Sequence, residues 1–163
     1  VRIVGGEARG RILKVVKSIR PTQEKVRGVL FNVLREEVLG VRFYDLFAGT
    51  GACGIEALSR GAREVIFVEK SKRVAKIIEK NLKTLKYEKK GKIWIKDVFK
   101  VLERIEFCED DIVFADPPYN KGYLKRLVKL LPSSCKVIIE HSKHEPIEGK
   151  KSYFIGDTVL TFL

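Results

Sequence analysis

The sequence predicts an α/β fold: a Rossmann-like, mostly parallel sheet with helices on both faces, ending in a C-terminal antiparallel hairpin and preceded by a small N-terminal β-hairpin. Three observations predict it. From Phe43 onward, short β-branched and aromatic runs alternate with stretches of helical periodicity, the pattern of a parallel sheet covered by crossover helices. A glycine-rich turn, Gly49-Thr50-Gly51-Ala52-Cys53-Gly54, follows the first of those runs and opens a helix. Near the end, Gly156-Asp157 separates two alternating apolar runs, which reads as a two-residue hairpin loop.

The elements follow in order. Residues 2–16 read as the N-terminal hairpin, punctuated by Gly5-Gly6 and Gly10 and decorated with Arg9, Arg11 and Lys14. Arg20-Pro21-Thr22 starts a helix that Thr22 can cap and whose first turn suits Glu24. Val26, Val29, Leu30, Val33, Leu34 and Val38 recur at helical spacing, and Gly40 ends the run. Residues 42–47 form a buried strand, and the helix after the glycine turn continues to Arg60, closed by Gly61. A second strand covers 64–69, and a helix over 72–87 puts Val74, Ile77, Ile78, Leu82 and Leu85 on one face. A third strand (92–96), a short helix (98–105), a fourth strand (112–115), a helix (123–131) and a fifth strand (136–140) come next. The hairpin strands are 152–155 and 158–162. One domain, 1–163, is expected, with 1–20 as a basic appendage.

Composition bounds the class. A chain of 163 residues that is 45% apolar can bury a core without staples. No apolar run approaches a membrane span, and the N-terminus lacks a secretory apolar region. Cys53, Cys108 and Cys135 are odd in number and unpaired in spacing, so neither a disulfide framework nor a zinc site is expected. His141 and His144 lack cysteine partners and helical spacing, and no metal is expected there either. A cytoplasmic location and a monomer are the expectations. One Gln, three Asn, no Met and 33% charged residues suggest heat adaptation.

The net charge of +12 is unevenly placed. Residues 1–30 hold eight Lys/Arg against two acids, and residues 69–100 hold twelve against four. A solvated helix face accounts for the second block, where acids are interspersed. The first block fits a polyanion-binding surface better, and Arg9, Arg11, Arg20 and Arg27 are its candidate RNA contacts.

The glycine turn matches a cofactor-binding spacing, and Glu69 lies 20 residues beyond Gly49, where an acid can accept from ribose hydroxyls. Nicotinamide and S-adenosylmethionine enzymes share both features. Asp45, at the end of the first strand, helps to decide: a carboxylate there repels a pyrophosphate and suits the ammonium of S-adenosyl-L-methionine. Asp97, at the end of the third strand, can accept from an adenine amino group, although acids there also cap helices. The candidate cofactor set is Asp45, Phe47, Gly49, Gly51, Glu69, Asp97 and Val98, with Thr22.

Asp116-Pro117-Pro118-Tyr119 follows the fourth strand, 67 residues after Gly49. Two prolines stiffen the loop and remove its N–H donors, leaving carbonyls facing outward. A planar amino group offers two N–H donors. The Asp116 carboxylate can take one and the Pro117 carbonyl the other, steering the nitrogen lone pair toward a methyl donor. Tyr119 offers a face for stacking a base. Asp116, Pro117 and Tyr119 are the candidate catalytic residues.

Together these motifs resemble the bacterial 16S ribosomal RNA (guanine-N2)-methyltransferases. The resemblance rests on Arg2-Ile3-Val4-Gly5-Gly6, Arg20-Pro21-Thr22, Arg27 with Leu30-Phe31-Asn32, the stretch 45–62, Val68-Glu69 and the Asp-Pro-Pro-Tyr loop. It implies a seven-stranded methyltransferase sheet, S-adenosyl-L-methionine as cofactor, methylation of a guanine amino group in 16S rRNA, and an assembling small ribosomal subunit as a second form of the substrate. A DNA adenine-N6 or cytosine-N4 methyltransferase shares the chemistry, but such enzymes usually carry a further base-reading domain. A nicotinamide oxidoreductase is favoured only by the glycine spacing, and a non-catalytic RNA-binding protein only by charge. Protein glutamine methyltransferases resemble this chain with Asn where Asp116 stands.

Overall fold

A computed structural model describes residues 1–17 and 23–163. Seven strands form one sheet in the order β3-β2-β1-β4-β5-β7-β6. β1 (Arg42–Leu46), β2 (Glu64–Val68), β3 (Gly91–Trp94), β4 (Ile112–Ala115) and β5 (Lys136–Ser142) run parallel. β7 (Thr158–Phe162) enters between β5 and β6 (Lys151–Ile155) and is antiparallel to both. The hairpin forms as the sequence predicts: Ile155 pairs with Thr158 across a two-residue loop, and Gly156 takes the positive φ that the turn requires.

The order reverses at β1 and β4, so the crevice at their carboxyl ends is the expected ligand position in an open parallel sheet. Helices cover both faces because the central strands are apolar on both. One core packs α1 (Glu24–Leu34), α2 (Ala52–Ser59) and α3 (Lys72–Thr84) through Leu30, Phe31, Ile55 and Ile78 onto Phe43, Phe67 and Phe114. The other packs α4 (Val98–Leu102) and α5 (Tyr123–Leu130) through Phe99, Leu124 and Leu127 onto Tyr44, Val113 and Ile139.

Two expectations change in form. The helix predicted to run to Gly40 ends at Leu34, where Arg35 turns to φ 49°, and a 3-10 turn covers Arg35–Val38. That break turns Val38, 2% exposed, into the core. The N-terminal hairpin is reduced to a single antiparallel bridge, Arg2 with Ile12. Its backbone donors go elsewhere: Val4 and Gly5 N–H donate to the Glu56 carboxylate, each at 2.9 Å, and Ala8 N–H donates to the Ser59 hydroxyl. A Cβ at Gly6 would overlap the Ser59 carbonyl, so only glycine lets the loop lie this close to α2. Ile3, Ala8 and Leu13 are buried in the first core, which docks residues 1–14 onto the sheet's helical layer.

Candidate functional site

The carboxyl ends of the parallel strands border a cavity of about 430 Å³, within the range of small-molecule sites. Its walls include Asp45, Phe47, Gly49, Glu69, Asp97, Val98 and the whole Asp116–Tyr119 loop. The two motifs that lie 67 residues apart in sequence thus face one space.

The glycine turn starts on strain. Phe47 has φ 58°, Gly49 56° and Gly51 78°. For Phe47 that conformation costs about 1–3 kcal/mol and needs support from its surroundings. Ala48 N–H donates to Val68 O at 2.9 Å, and the Phe47 ring packs against Phe99 and Tyr123 at centroid distances of 6.1 and 6.5 Å. Glu69 ties the turn to β2: Oε1 accepts from Gly49 N–H at 3.1 Å and Oε2 from Ser71 N–H at 2.8 Å. Each carboxylate oxygen has a second lone pair, so acceptors remain for ribose hydroxyls.

Asp45 lies beneath the turn, 2% exposed, and its Oδ2 accepts from Gly54 N–H at 2.9 Å. Burial pushes its carboxyl well above the usual carboxylate range; the Gly54 N–H opposes this, and the nearby Asp116 and Glu69 charges add to it. A carboxylate so placed gains from a cation and loses from an anion. That chemistry fits the ammonium and sulfonium of S-adenosylmethionine and opposes a pyrophosphate. Asp97 is partly committed to the fold, since its Oδ1 caps α4 by accepting from Phe99 N–H at 2.9 Å.

The acceptor loop is held at both ends. Asp116 N–H reaches Leu46 O at 3.4 Å, and Pro117 is buried while Pro118 is exposed. Asn120, at φ 58°, donates its N–H to Glu145 Oε1 at 2.7 Å. The buried His141 ring anchors that segment: Nδ1 lies 3.0 Å from the carbonyls of Ser142 and Glu145 and so carries the proton, leaving Nε2 to accept from the Thr161 hydroxyl at 2.7 Å. Among the described residues no cluster of His, Cys, Asp or Glu is arranged to hold a metal.

Not every expected residue reaches the cavity. Gly51 does not line it; a Cβ there would press on Ile78 and Phe67, so this glycine serves the left-handed turn and the packing of α2. Arg27 as an RNA contact is corrected: it is 1% exposed, donates to Arg2 O and lies 3.6 Å from Glu56 Oε1. Charge counting missed this because the buried acid that holds it lies 29 residues away in sequence. Arg9 and Arg11 are exposed, and Arg11 donates to Thr84 O at 3.4 Å. Lys14 exchanges two hydrogen bonds with Asn81. The basic N-terminal segment therefore adjoins the lysine-rich α3, and the two charge blocks form one surface. Arg20 and Thr22 lie outside the described residues. The sequence reading overlooked Phe99, Tyr123 and Glu140, which also line the cavity. Glu140 had a readable signal, an acid at a parallel strand's carboxyl end, the same signal that marked Glu69 and Asp97.

Comparison with known proteins gives the geometry a context. The model of a family described as conserved hypothetical protein 95 matches residues 1–155. YlbH of Bacillus subtilis, named as a candidate rRNA methyltransferase, is 35% identical, over 99% of this chain and 91% of its own length. Ribosomal RNA small subunit methyltransferase D of Escherichia coli is 38% identical over 80% of this chain and 66% of its own length. A solved structure of Escherichia coli yhhF, described as a candidate methyltransferase, superposes with a TM-score of 0.84 at 30% identity, covering 99% of this chain and 96% of that one. An RNA methyltransferase from Salinibacter ruber, solved in complex with S-adenosyl-L-homocysteine, shares the fold with a TM-score of 0.71 at 17% identity, over 88% and 92% of the two chains.

Proposed function

The chain belongs to the conserved hypothetical protein 95 family, and from that premise we propose that it methylates the exocyclic N2 amino group of a guanine in 16S rRNA. It is an S-adenosylmethionine-dependent rRNA methyltransferase. The observation that carries the amino-group reading is the single cavity shared by the glycine turn and the Asp116–Tyr119 loop. The substrate is 16S rRNA, free or within the assembling small subunit, as the names of the relatives suggest.

Glu69 and Asp45 hold the cofactor's ribose and ammonium, and Val98, Phe47 and Asp97 border its adenine. When bound, S-adenosylmethionine supplies a methyl carbon on a sulfonium, and transfer of that carbon leaves the carbon–sulfur electron pair on sulfur. The residues of this chain prepare the nitrogen. The guanine amino lone pair is delocalised into the ring and is a poor nucleophile. Asp116 accepts one N–H and the Pro117 carbonyl the other, which turns the lone pair toward the methyl. As the nitrogen gains positive charge, the Asp116 carboxylate stabilises it and then takes the departing proton. Tyr119 stacks on the base.

The test is single-turnover methylation of undermethylated small subunits or their 16S rRNA, with the product digested to nucleosides for mass spectrometry. N2-methylguanosine is expected. Asp116→Ala should slow the step by two to three decades, about 3–4 kcal/mol, with S-adenosylhomocysteine affinity nearly intact. Asp116→Asn keeps one acceptor oxygen and retains part of the rate. An Asp116→Ala enzyme that keeps more than about a third of the rate, a cost under 1 kcal/mol, makes the loop structural and refutes its catalytic role.

A further inference from the structure

We infer that Glu140 is a specificity-determining residue that reads the N1–H of the target guanine, an inference that rests on the guanine-N2 reading above. β4 and β5 are parallel and in register from Ile112 with Lys136 to Ala115 with Ile139. The next pair along that register is Asp116 and Glu140. Residues paired across neighbouring strands point to the same face of the sheet, so the two carboxylates sit side by side at adjacent strand ends. Both border the cavity, with Tyr119 and Thr158 beside them.

Glu140 is 5% exposed, although it continues a strand whose preceding residues, Val137, Ile138 and Ile139, are all apolar and buried. A carboxylate is costly at such a position. The glycine turn and the acceptor loop do not use it. Its place at the acceptor end of the cavity points to the base.

The donor pattern of the base completes the argument. Guanine presents three N–H groups along one edge, one on N1 and two on N2. Adenine and cytosine present an amino group beside a ring nitrogen that carries a lone pair instead. Two adjacent carboxylates match the guanine edge: Asp116 takes an N2–H and Glu140 the N1–H. Against adenine or cytosine the Glu140 carboxylate would meet a lone pair and repel it. Asp116 and the prolines thus select an amino group, and Glu140 selects which base carries it.

The test uses 2-aminopurine, which keeps the N2 amino group but has a lone pair at N1. The full chain is assayed under single turnover on rRNA carrying guanine or 2-aminopurine at the methylated position, reconstituted into subunits where free rRNA is inactive. The wild type should prefer guanine by at least about a hundredfold, the discrimination expected when a buried acceptor loses its donor. Glu140→Gln can turn its amide N–H toward the lone pair, so the preference should shrink to within about fivefold. Melting temperature and S-adenosylhomocysteine binding check that the variant is folded. The wild-type measurement alone also decides: N2-methylguanosine as product together with equal use of 2-aminopurine overturns this inference and leaves the function standing. A Glu140→Gln enzyme that is folded and keeps the wild-type preference overturns it too. Absence of N2-methylguanosine in the wild-type product overturns the base assignment, and this inference with it.

Discussion

Glu56 and Arg27 give the most direct test of how the basic N-terminal segment works. Glu56 is fully buried on α2 and takes four donors: Val4 N–H, Gly5 N–H and Arg60 Nε at 2.9 Å each, and Arg27 Nε at 3.6 Å. Glu56→Ala strands two buried backbone donors and takes the carboxylate from both guanidinium groups. Removing one partner from a buried pair costs about 3–5 kcal/mol. In a domain of this size each kcal/mol moves Tm by about 2–4 °C, so a fall of about 6–20 °C is expected. Arg27→Met should cost less, about 2–3 kcal/mol, because Glu56 keeps its three shorter bonds. Denaturant unfolding measures both. RNA binding separates the readings of Arg27: a lost phosphate contact lowers the slope of log K against log salt by about 0.7–0.9, whereas a purely structural arginine leaves it unchanged. A stability loss under about 1 kcal/mol together with a reduced slope would falsify the buried role and restore Arg27 as an RNA contact.

Two further outcomes follow from the cofactor side. Asp45 has a raised carboxyl pKa, so its protonated form is favoured in the free protein, and the stability it contributes is complete below the ordinary carboxylate range and lost as pH rises through the raised value. A cationic ligand favours the ionised form, so S-adenosylhomocysteine should bind more tightly as pH rises through that window and release protons on binding; calorimetry in buffers of different ionisation enthalpy reads this, and Asp45→Asn should flatten it. Glu69→Ala removes the acceptor for Gly49 and Ser71 N–H as well as for the ribose, so affinity should fall by about 1–3 kcal/mol. Unchanged affinity in Glu69→Ala would leave the ribose role without support.

The sequence was most legible where local chemistry sets the limits. β4 and β7 occupy the residues expected of them because a proline pair ends one and a Gly-Asp turn starts the other. Helix α3 begins at Lys72 as its periodicity predicts, with Ser71 as its cap. What was illegible depends on partners distant in sequence. β5 runs on to Ser142, past the end expected at Glu140, because β7 pairs with it up to Thr158. That extension carries His141 into the core. α1 stops at Arg35 with no glycine or proline to announce it, since the demand comes from where Val38 must pack. Arg27 reads as surface charge until Glu56 is seen behind it. The cofactor and acceptor motifs were legible because each is a short local device, but the register that sets Glu140 beside Asp116 exists only in the sheet.

Charge also constrains which part of the RNA can enter. The chain carries +12 overall, yet its cavity is lined by five carboxylates, Asp45, Glu69, Asp97, Asp116 and Glu140, against two lysines, Lys70 and Lys96. An exterior of this sign attracts a phosphate backbone from any direction, and its long-range pull carries no sequence information. An interior of the opposite sign rejects phosphate, because burying an anion among carboxylates loses hydration and gains repulsion. A nucleotide can therefore lodge here only by leaving its phosphates on the rim and turning its base inward. The base that gains most presents N–H donors rather than lone pairs. The same negative field favours a cationic cofactor before the reaction. Its uncharged thioether product has lost that attraction, which weakens its hold on the cavity once the methyl has moved.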